Sequence, residues 1–271
     1  MLPPPPRSNL LPKGYRPGLF PGRHLWKTEK EMKLFDIHCH ILPYVDDGAA
    51  NLDEALELLW MEAKQGVTGI CLTPHLRHNM FESSDEKIWE KFLQLQDAAR
   101  DQNIPIKLHL SREYYFDDQF RRALSERKLI PMGGDVLLTE FSYSSDYQTL
   151  YTAAAEILGE GYIPLFAHVE RYKAFQDDPG CGIPLAEMGV LLQMNADSII
   201  GRAGRKMKHL CQQLLKDGGV HVVASDAHDT QNRIPNLRKC ADYLEKKIGR
   251  AGTHRLMYEN PLAILNLLEE E

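Results

Sequence analysis

The chain has 271 residues, a formal net charge of −6 and five cysteines. This acidic balance argues against a surface for nucleic acid or anionic membranes, and no apolar run approaches the ~18 residues of a membrane span. The cysteines are odd in number, scattered and never spaced as C-x-x-C, which predicts free thiols in a reducing compartment. We therefore expect a cytoplasmic globular protein without a nucleic-acid partner and without membrane insertion.

Residues 1–33 differ in composition from the rest of the chain, because seven of the sixteen prolines lie before Gly22. Such a composition predicts an extended, disordered N-terminal extension. The remaining residues, 34–271, suffice for one domain, since single barrels of about 250 residues are ordinary. Met32 directly precedes the first predicted strand, so we expect it to be an alternative start and residues 1–31 to be dispensable.

From Leu34 onward, short runs rich in Val, Ile, Leu or Phe alternate with amphipathic stretches. The predicted strands are 34–41, 67–74, 106–114, 134–141, 162–169, 190–196 and 220–226. The predicted helices are 52–64, 84–101, 147–159, 203–216 and 236–248, and the first begins at an Asn51 cap and ends at Gly66. Regular alternation predicts a parallel α/β fold, either a barrel or a doubly wound sheet. No glycine-rich loop for nucleotide phosphates follows any of these strands.

Residues that bind metals or phosphate lie at almost every predicted strand end. The first strand carries His38 and His40, which share a face because they are two residues apart, and Asp47 follows. The later strand ends carry, in chain order, His75 and Arg77, Glu113, Glu140, His168 and Arg171, and finally Asp226, His228 and Arg233. Carboxyl ends of parallel strands converge on one face of the sheet, so we expect these side chains to form one site.

This mixture of side chains suits metal-dependent phosphoester hydrolysis. Imidazoles hold Zn, Mn or Fe, and a carboxylate such as Glu113 or Asp226 would bridge two ions about 3.5–4 Å apart. Ions in such a site lower the pKa of bound water, and arginines hold phosphate through paired N–H donors. We expect a metal-bound hydroxide to attack phosphorus directly, with no covalent phosphoenzyme.

A second phosphatase pattern runs from Cys71 to Arg77, which formally matches the C-x5-R loop of cysteine-dependent phosphatases. That loop wraps backbone N–H groups around phosphate and relies on glycines, whereas this stretch has none and Pro74 removes a donor. Cys71 also lies in an apolar strand, where an inert buried thiol is the usual outcome. The metal mechanism is therefore the preferred interpretation.

The ordered motifs DIHCHILPYVDDG, TPH, LTEFS, AHVERY and ASDAH give the chain a resemblance to a known family. From about Lys33 onward it resembles the polymerase and histidinol phosphatase (PHP) superfamily. More narrowly, it resembles the bacterial manganese-dependent protein-tyrosine phosphatases of capsular and exopolysaccharide operons. The resemblance implies a distorted seven-stranded (β/α)7 barrel. It also implies a phosphotyrosine-containing bacterial tyrosine kinase as the partner, through which polysaccharide synthesis is regulated.

The same resemblance implies a three-metal centre loaded with Mn²⁺, with Fe or Zn as alternatives. The first site would use His38, His40, Glu113 and Asp226. The second would use Glu113 as a bridge with Glu140 and His168, and the third would use Asp47, His75 and His228. Arg77, Arg171 and Arg233 match phosphate-binding or catalytic arginines, and His228 or His168 would assist proton transfer. Tyr44 and Arg112 depart from the relatives' pattern and are expected near the pocket.

Two alternatives stay open on the sequence. One is a histidinol-phosphatase-like or other small-molecule phosphoesterase on the same scaffold. The other is a module that binds a phosphotyrosine tail without turnover, although binding alone would need fewer metal ligands. Assembly into a homo-oligomer is compatible with either.

Overall fold

Parallel strands form the centre of the molecule. The computed structural model describes residues 32–217 and 219–268, so residues 1–31 of the predicted extension lie outside the described residues. The strands are β1 Leu34–Cys39, β2 Val67–Leu72, β3 His75–Leu76, β4 Lys107–Leu110, β5 Glu113–Tyr115, β6 Val136–Glu140, β7 Ile163–Phe166, β8 Leu191–Asn195 and β9 Val222–Ala224. They form two parallel sheets, in the orders β1-β2-β4 and β3-β5-β6-β7-β8-β9.

Helices follow most of the strands. They are α1 Leu52–Lys64, α2 Asp85–Asp101, α3 Asp118–Glu126, α4 Tyr147–Gly159, α5 Lys173–Asp177, α6 Gly182–Met188, α7 Ala196–Ile200, α8 Arg205–Asp217, α9 Leu237–His254 and α10 Asn260–Ile264. All five predicted helices are confirmed. The Asn51 side chain accepts a hydrogen bond from the Glu54 N–H, and Gly66 follows the last turn with φ +82°. No helix in the described ranges is both long and apolar enough to cross a membrane.

The predicted count of seven strands is not reproduced, because the predicted run 106–114 forms two strands, β4 and β5, and the short strand β3 follows the end of the predicted run 67–74. The break between β2 and β3 falls at Thr73–Pro74, where proline has no N–H for the ladder. The break between β4 and β5 falls at Ser111 and Arg112. The Ser111 N–H donates to the Leu72 carbonyl across these breaks (2.9 Å), so the two sheets adjoin.

The sheets also adjoin on the other side, where β1 meets the segment after β9. The Asp226 N–H donates to the His38 carbonyl (2.9 Å), and the His40 N–H donates to the Ala227 carbonyl (2.8 Å). The parallel strands therefore curl around a common interior as in a barrel. Met32, assigned by sequence to the extension, is buried in the core, and its carbonyl accepts a bond from Arg238.

Two apolar clusters stabilise this arrangement. The larger packs the outer faces of the strands against the helices, and the smaller includes Leu138, Leu191 and Ala224. Side chains two residues apart on a strand share a face. The positions two residues beyond these three hold polar groups: Glu140, Gln193 and Asp226. The interior is thus apolar along the strands and polar at their carboxyl ends.

Candidate metal centre

His38 and His40 form the first part of the site. The pairing of β1 with β2 shifts register between Asp36 and Cys39, and both imidazoles are fully buried, with their Nε2 atoms 3.2 Å apart. The Glu113 Oε2 atom lies 3.3 Å from His38 Nε2 and 3.2 Å from His40 Nε2. Asp226 Oδ1 lies 3.6 Å from both nitrogens. The structure therefore brings together all four residues of the first predicted group.

Glu113 stands at the centre of the cluster because it opens β5, directly beside His75 on β3. Its Oε2 atom is 3.0 Å from His75 Nδ1, and its Oε1 atom is 3.1 Å from His168 Nε2. With His38 and His40, one fully buried carboxylate faces four imidazoles. This is the geometry that a bridging ligand requires.

Glu140, at the end of β6, extends the cluster away from β1. Its Oε1 atom lies 3.7 Å from His168 Nε2, and its Oε2 atom lies 3.8 Å from His75 Nδ1. The sequence assigned His168 to this group, and His168 does adjoin both carboxylates. However, the ligand atoms of His75, Glu113 and Glu140 also lie within 4.8 Å of one another. His75 thus stands between the second and third predicted groups.

Asp47 completes the third group on the solvent side. Its Oδ1 atom lies 3.6 Å from His75 Nε2 and 3.6 Å from His228 Nε2. His228 is buried, whereas about half of the Asp47 side chain is exposed (48%). His40 also belongs here, with its ring centroid 3.9 Å from that of His228. The cluster therefore opens to solvent beside Asp47.

Several buried polar atoms in this cluster show that the residues fit metal ions. Glu113 Oε2, Glu140 Oε2, His75 Nδ1 and His228 Nε2 lie 3.0–3.8 Å from other atoms of the cluster, but among the described residues none of these contacts has the geometry of a hydrogen bond. A buried polar atom left unpaired costs about 1–3 kcal/mol. Divalent cations satisfy imidazole nitrogens and carboxylate oxygens together, and this mixed donor set suits Mn, Fe or Zn.

The protonation states of the carboxyl groups differ sharply. Burial would raise the pKa of Glu113, but His38 and His75 hold it well below its usual range. Arg171 and His38 likewise overcome burial and hold the pKa of Asp226 well below its usual value. Burial and the carboxylates of Glu113 and Asp226 raise the pKa of Glu140 to about 8. Without metals, the Glu140 carboxyl group therefore keeps a proton near pH 7.

The pKa values of the histidines are also shifted in opposite directions. Burial would lower the pKa of His40, but Asp46 and Glu113 raise it well above its usual value. Burial lowers the pKa of His168 to about 4, and burial with the adjacent His40 lowers that of His228 to about 2. His168 and His228 are thus neutral near pH 7. Neutral imidazoles suit metal ligation better than proton donation.

Polar residues outside the predicted set hold the ligands in place. Asp46 Oδ2 accepts hydrogen bonds from His40 Nδ1 (2.8 Å) and from the His75 N–H (3.0 Å). Gln193 Oε1 accepts the His168 N–H (2.8 Å) and lies 3.0 Å from His38 Nδ1. Gln193 is not among the site residues predicted from the sequence. The sequence feature that could have indicated Gln193 is its polar side chain in the middle of the apolar strand β8.

The three arginines lie at the rim. Arg171 Nη2 and Arg233 Nη2 contact Asp226 Oδ2 at 3.1 and 2.9 Å, and Arg77 stacks on the Tyr115 ring at 4.1 Å. Each guanidinium retains N–H donors for a phosphate. Arg171 and Arg233 converge on one carboxylate oxygen, whereas Arg77 is held separately.

Two other sequence-based expectations can be compared with the structure. Cys71 is fully buried, and burial raises the pKa of its thiol well above the usual range, so it is not a reactive nucleophile. All five cysteines are buried free thiols, as predicted. Arg112, expected near the pocket, is buried and donates to the His75 carbonyl (2.9 Å) and Asp85 (2.8 Å). It therefore stabilises the His75 backbone.

Known proteins resemble this chain in both sequence and fold. A family model described as capsular polysaccharide synthesis, CpsB/CapC, matches residues 34–266. The tyrosine-protein phosphatase CpsB of Streptococcus pneumoniae is 34% identical over 239 residues, covering 86% of this chain and 98% of that protein.

Two solved structures are similar to this chain in fold. One comes from the pair YwqE of Bacillus subtilis and CpsB of Streptococcus pneumoniae, described as unique metal-dependent tyrosine phosphatases. It has a TM-score of 0.80 and 28% identity, and covers 86% of this chain and 95% of that chain. An organophosphorus hydrolase variant from Deinococcus radiodurans has a TM-score of 0.56 and 12% identity, and covers 87% of this chain and 93% of that chain. This second likeness concerns the fold alone.

Proposed function

The chain belongs to the CpsB/CapC family of capsular polysaccharide synthesis, and we propose that it is a metal-dependent tyrosine-protein phosphatase. The observation that carries this proposal is the Glu113 carboxylate, which faces four histidine nitrogens at 3.0–3.3 Å inside a ring of strand-end carboxylates and arginines. Residues 34–271 would form the phosphatase domain, with the curled sheets as a distorted (β/α)7 barrel.

The ligand groups would hold three ions. His38, His40, Glu113 and Asp226 would hold the first, and Glu113, Glu140 and His168 the second. The third would be held by Asp47, His75 and His228, with His75 close enough to serve the second. Bound divalent ions would supply an activated water as nucleophile and offset negative charge on the phosphoryl group. Manganese is the metal that the mixed nitrogen and oxygen donors favour in this proposal.

The protein's own residues would bind and orient the substrate. Arg171 and Arg233 share the Asp226 carboxylate oxygen, and their remaining N–H groups would bind a phosphoryl group. Arg77 would approach from the Glu140 side, because its charge acts on that carboxyl group. A tyrosyl oxygen leaves as a stabilised anion, so little proton donation is needed. The neutral His228 and His168 would therefore serve as ligands.

The substrate in this proposal is phosphotyrosine on a tyrosine kinase that regulates capsular or exopolysaccharide synthesis, acting in the cytoplasm. Two observations support it: membership of a capsular polysaccharide synthesis family, and the naming of the relatives as tyrosine-protein phosphatases.

Chelation with substrate comparison tests the proposal. The purified protein is stripped of metal, reloaded with Mn²⁺, Fe²⁺ or Zn²⁺, and assayed on a phosphotyrosyl peptide, p-nitrophenyl phosphate and histidinol phosphate. We expect no turnover without metal, restored turnover with Mn²⁺, and a preference for the phosphotyrosyl peptide. Turnover that survives complete chelation would reject the metal mechanism. A preference for histidinol phosphate would assign the chain to small-molecule phosphatases, and tight peptide binding without phosphate release would indicate a binding module.

A further inference from the structure

Tyr143 is an exposed aromatic residue beside the metal centre. It lies in the loop between β6 and α4, three residues after Glu140, and 54% of its surface is exposed. Its ring meets the His168 ring edge-on, with centroids 6.2 Å apart and an interplanar angle of 87°. Its hydroxyl oxygen accepts a hydrogen bond from Arg171 Nη1 (3.3 Å). Tyr143 thus contacts a predicted metal ligand and a predicted phosphate-binding arginine while leaving much of its ring open.

The loop holds Tyr143 firmly although the side chain is exposed. The Tyr143 carbonyl accepts the Lys173 N–H (2.8 Å), and the Ser145 carbonyl accepts the Ala174 N–H (3.0 Å). Both bonds tie the loop to the start of α5. The ring is therefore presented at a fixed place on the rim, which is the property expected of a surface that positions a ligand.

A groove of about 600 Å³ continues outward from Tyr143 and Arg171. Its other lining residues include Lys173, Gln176 and Met207. The volume lies in the range of ligand-binding clefts, about 300–1,000 Å³. Because Arg171 also contacts Asp226 (3.1 Å), the groove and the metal centre share a wall. We call it the Tyr143 groove.

We propose that Tyr143 stacks against the aromatic ring of the phosphotyrosine, and that the Tyr143 groove holds the polypeptide next to it. A phosphoryl group held by Arg171 directs its aryl substituent toward Tyr143, since guanidinium and hydroxyl are already in contact. Aromatic rings attract one another at centroid separations of about 4.5–7 Å. An alkyl phosphate gains nothing from this contact, so Tyr143 favours aryl over alkyl esters. This inference rests on the phosphatase activity proposed above.

A second groove provides the comparison. Trp60 and Met61 of α1 line a second groove of about 360 Å³, together with other residues of α1 and Gln102. Its lining residues include none of the metal ligands or arginines of the site. Met61 and Met207 are both half-buried, so the same substitution at each position separates an effect on the Tyr143 groove from a general effect of added bulk.

The experiment measures kcat and KM of the Mn²⁺-loaded full chain on p-nitrophenyl phosphate, a phosphotyrosyl peptide and the matching phosphoseryl peptide. Tyr143→Ala should raise KM for both aryl substrates by about three- to tenfold and lower the aryl-to-alkyl preference accordingly. Tyr143→Phe should raise KM for both aryl substrates less than Tyr143→Ala does, because the ring is retained. Tyr151→Ala, which removes another exposed tyrosine (42%), should have no effect.

The groove is tested with Met207→Trp against Met61→Trp. We expect Met207→Trp to raise KM for the phosphotyrosyl peptide and to leave p-nitrophenyl phosphate unchanged, whereas Met61→Trp should change neither. Thermal unfolding of each variant checks that the fold is retained.

An active wild type whose aryl-to-alkyl preference is unaltered by Tyr143→Ala would overturn the role of Tyr143. Equal effects of Met207→Trp on peptide and small substrate would overturn the groove assignment. A metal-loaded wild type that releases no phosphate would instead reject the proposed function. Calorimetric binding of a peptide carrying a non-hydrolysable phosphonate analogue would then decide the inference, because Tyr143→Ala and Met207→Trp should still weaken it.

Discussion

Replacing Glu113 by glutamine is the most informative single change in the metal centre. Glutamine preserves the size of the side chain but replaces a carboxylate oxygen by an amide NH₂ group. The two carboxylate oxygens lie 3.0–3.3 Å from ring nitrogens of His38, His40, His75 and His168. An amide offers one acceptor oxygen where the carboxylate offers two, so it cannot bridge two cations. We expect Glu113→Gln to lose metal from both sites that share this residue.

The size of the effect follows from the two ions that would be deprived of a shared ligand. Each bound ion contributes several kcal/mol of charge stabilisation in the transition state, so losing about 4 kcal/mol lowers kcat/KM by about 10³-fold. Asp46 provides a graded comparison, since it braces His40 through a 2.8 Å hydrogen bond and belongs to none of the candidate ligand groups among the described residues. Residues that orient a ligand typically affect metal affinity or activity by about 10–100-fold. Asp46→Asn should therefore be damaging but milder.

The assay combines two readouts. Metal content per chain is measured by inductively coupled plasma mass spectrometry after dialysis, and kcat/KM on p-nitrophenyl phosphate is measured in excess Mn²⁺. Thermal unfolding of the metal-free variants shows whether the fold persists. Near-normal metal content and rate in Glu113→Gln would refute the bridging role. A larger loss in Asp46→Asn than in Glu113→Gln would refute the ranking of ligand over bracing residue.

Three further outcomes follow from the structure. Metal binding at pH 7 should release protons, because His40 and Glu140 both have raised pKa values in the metal-free protein. The Glu140→Gln variant should release fewer protons on binding metal. Calorimetry in buffers of different ionisation enthalpy measures this number. Gly48→Ala should weaken metal binding, because a Cβ there would lie 1.9 Å from the His40 carbonyl oxygen and would displace the loop that carries Asp47. Equilibrium dialysis measures the Mn²⁺ affinity, and a normal affinity in this variant would contradict the prediction. Cys71→Ser should keep kcat within about threefold of the wild type, since a buried, protonated thiol takes no part in catalysis, and a dead but folded variant would contradict this.

The convergence of the candidate ligands could be predicted because topology dictates their positions. In a parallel sheet every strand presents its carboxyl end at the same edge, so each polar residue at a strand exit has a known place. His38, Glu113, Glu140 and Asp226 all follow this rule, and the structure brings them together. The longer helices could be predicted because their apolar residues repeat with the helical period. The short helices α5, α6, α7 and α10 have too few turns to show such a repeat.

Contacts that depend on sequence-distant partners could not be read from the chain. Gln193 touches His38 from 155 residues away, and Asp36 accepts the Ser225 N–H (2.9 Å) from 189 residues away. Nothing local distinguishes such an amide or carboxyl group from a packed polar residue. The additional proximity of His75 to Glu113 and Glu140 could not be predicted either. His75 adjoins two groups from the start of β3, after the break at Thr73–Pro74, and strand parity does not continue across that break.

Asp226 shows how the site balances charge before any metal binds. It is a non-glycine residue with φ +54°, a conformation that costs energy and persists where surrounding contacts fix it. Its Oδ2 atom accepts hydrogen bonds from Arg233 (2.9 Å) and Asn195 (2.6 Å), which leaves Oδ1 directed at His38 and His40. The arginines therefore do two things. They keep this carboxyl group ionised, and their own positions are set by it. Loss of Asp226 should consequently displace Arg171 and Arg233 as well as weaken metal binding by the first predicted group, whereas loss of Glu140 should leave these two arginines paired with Asp226.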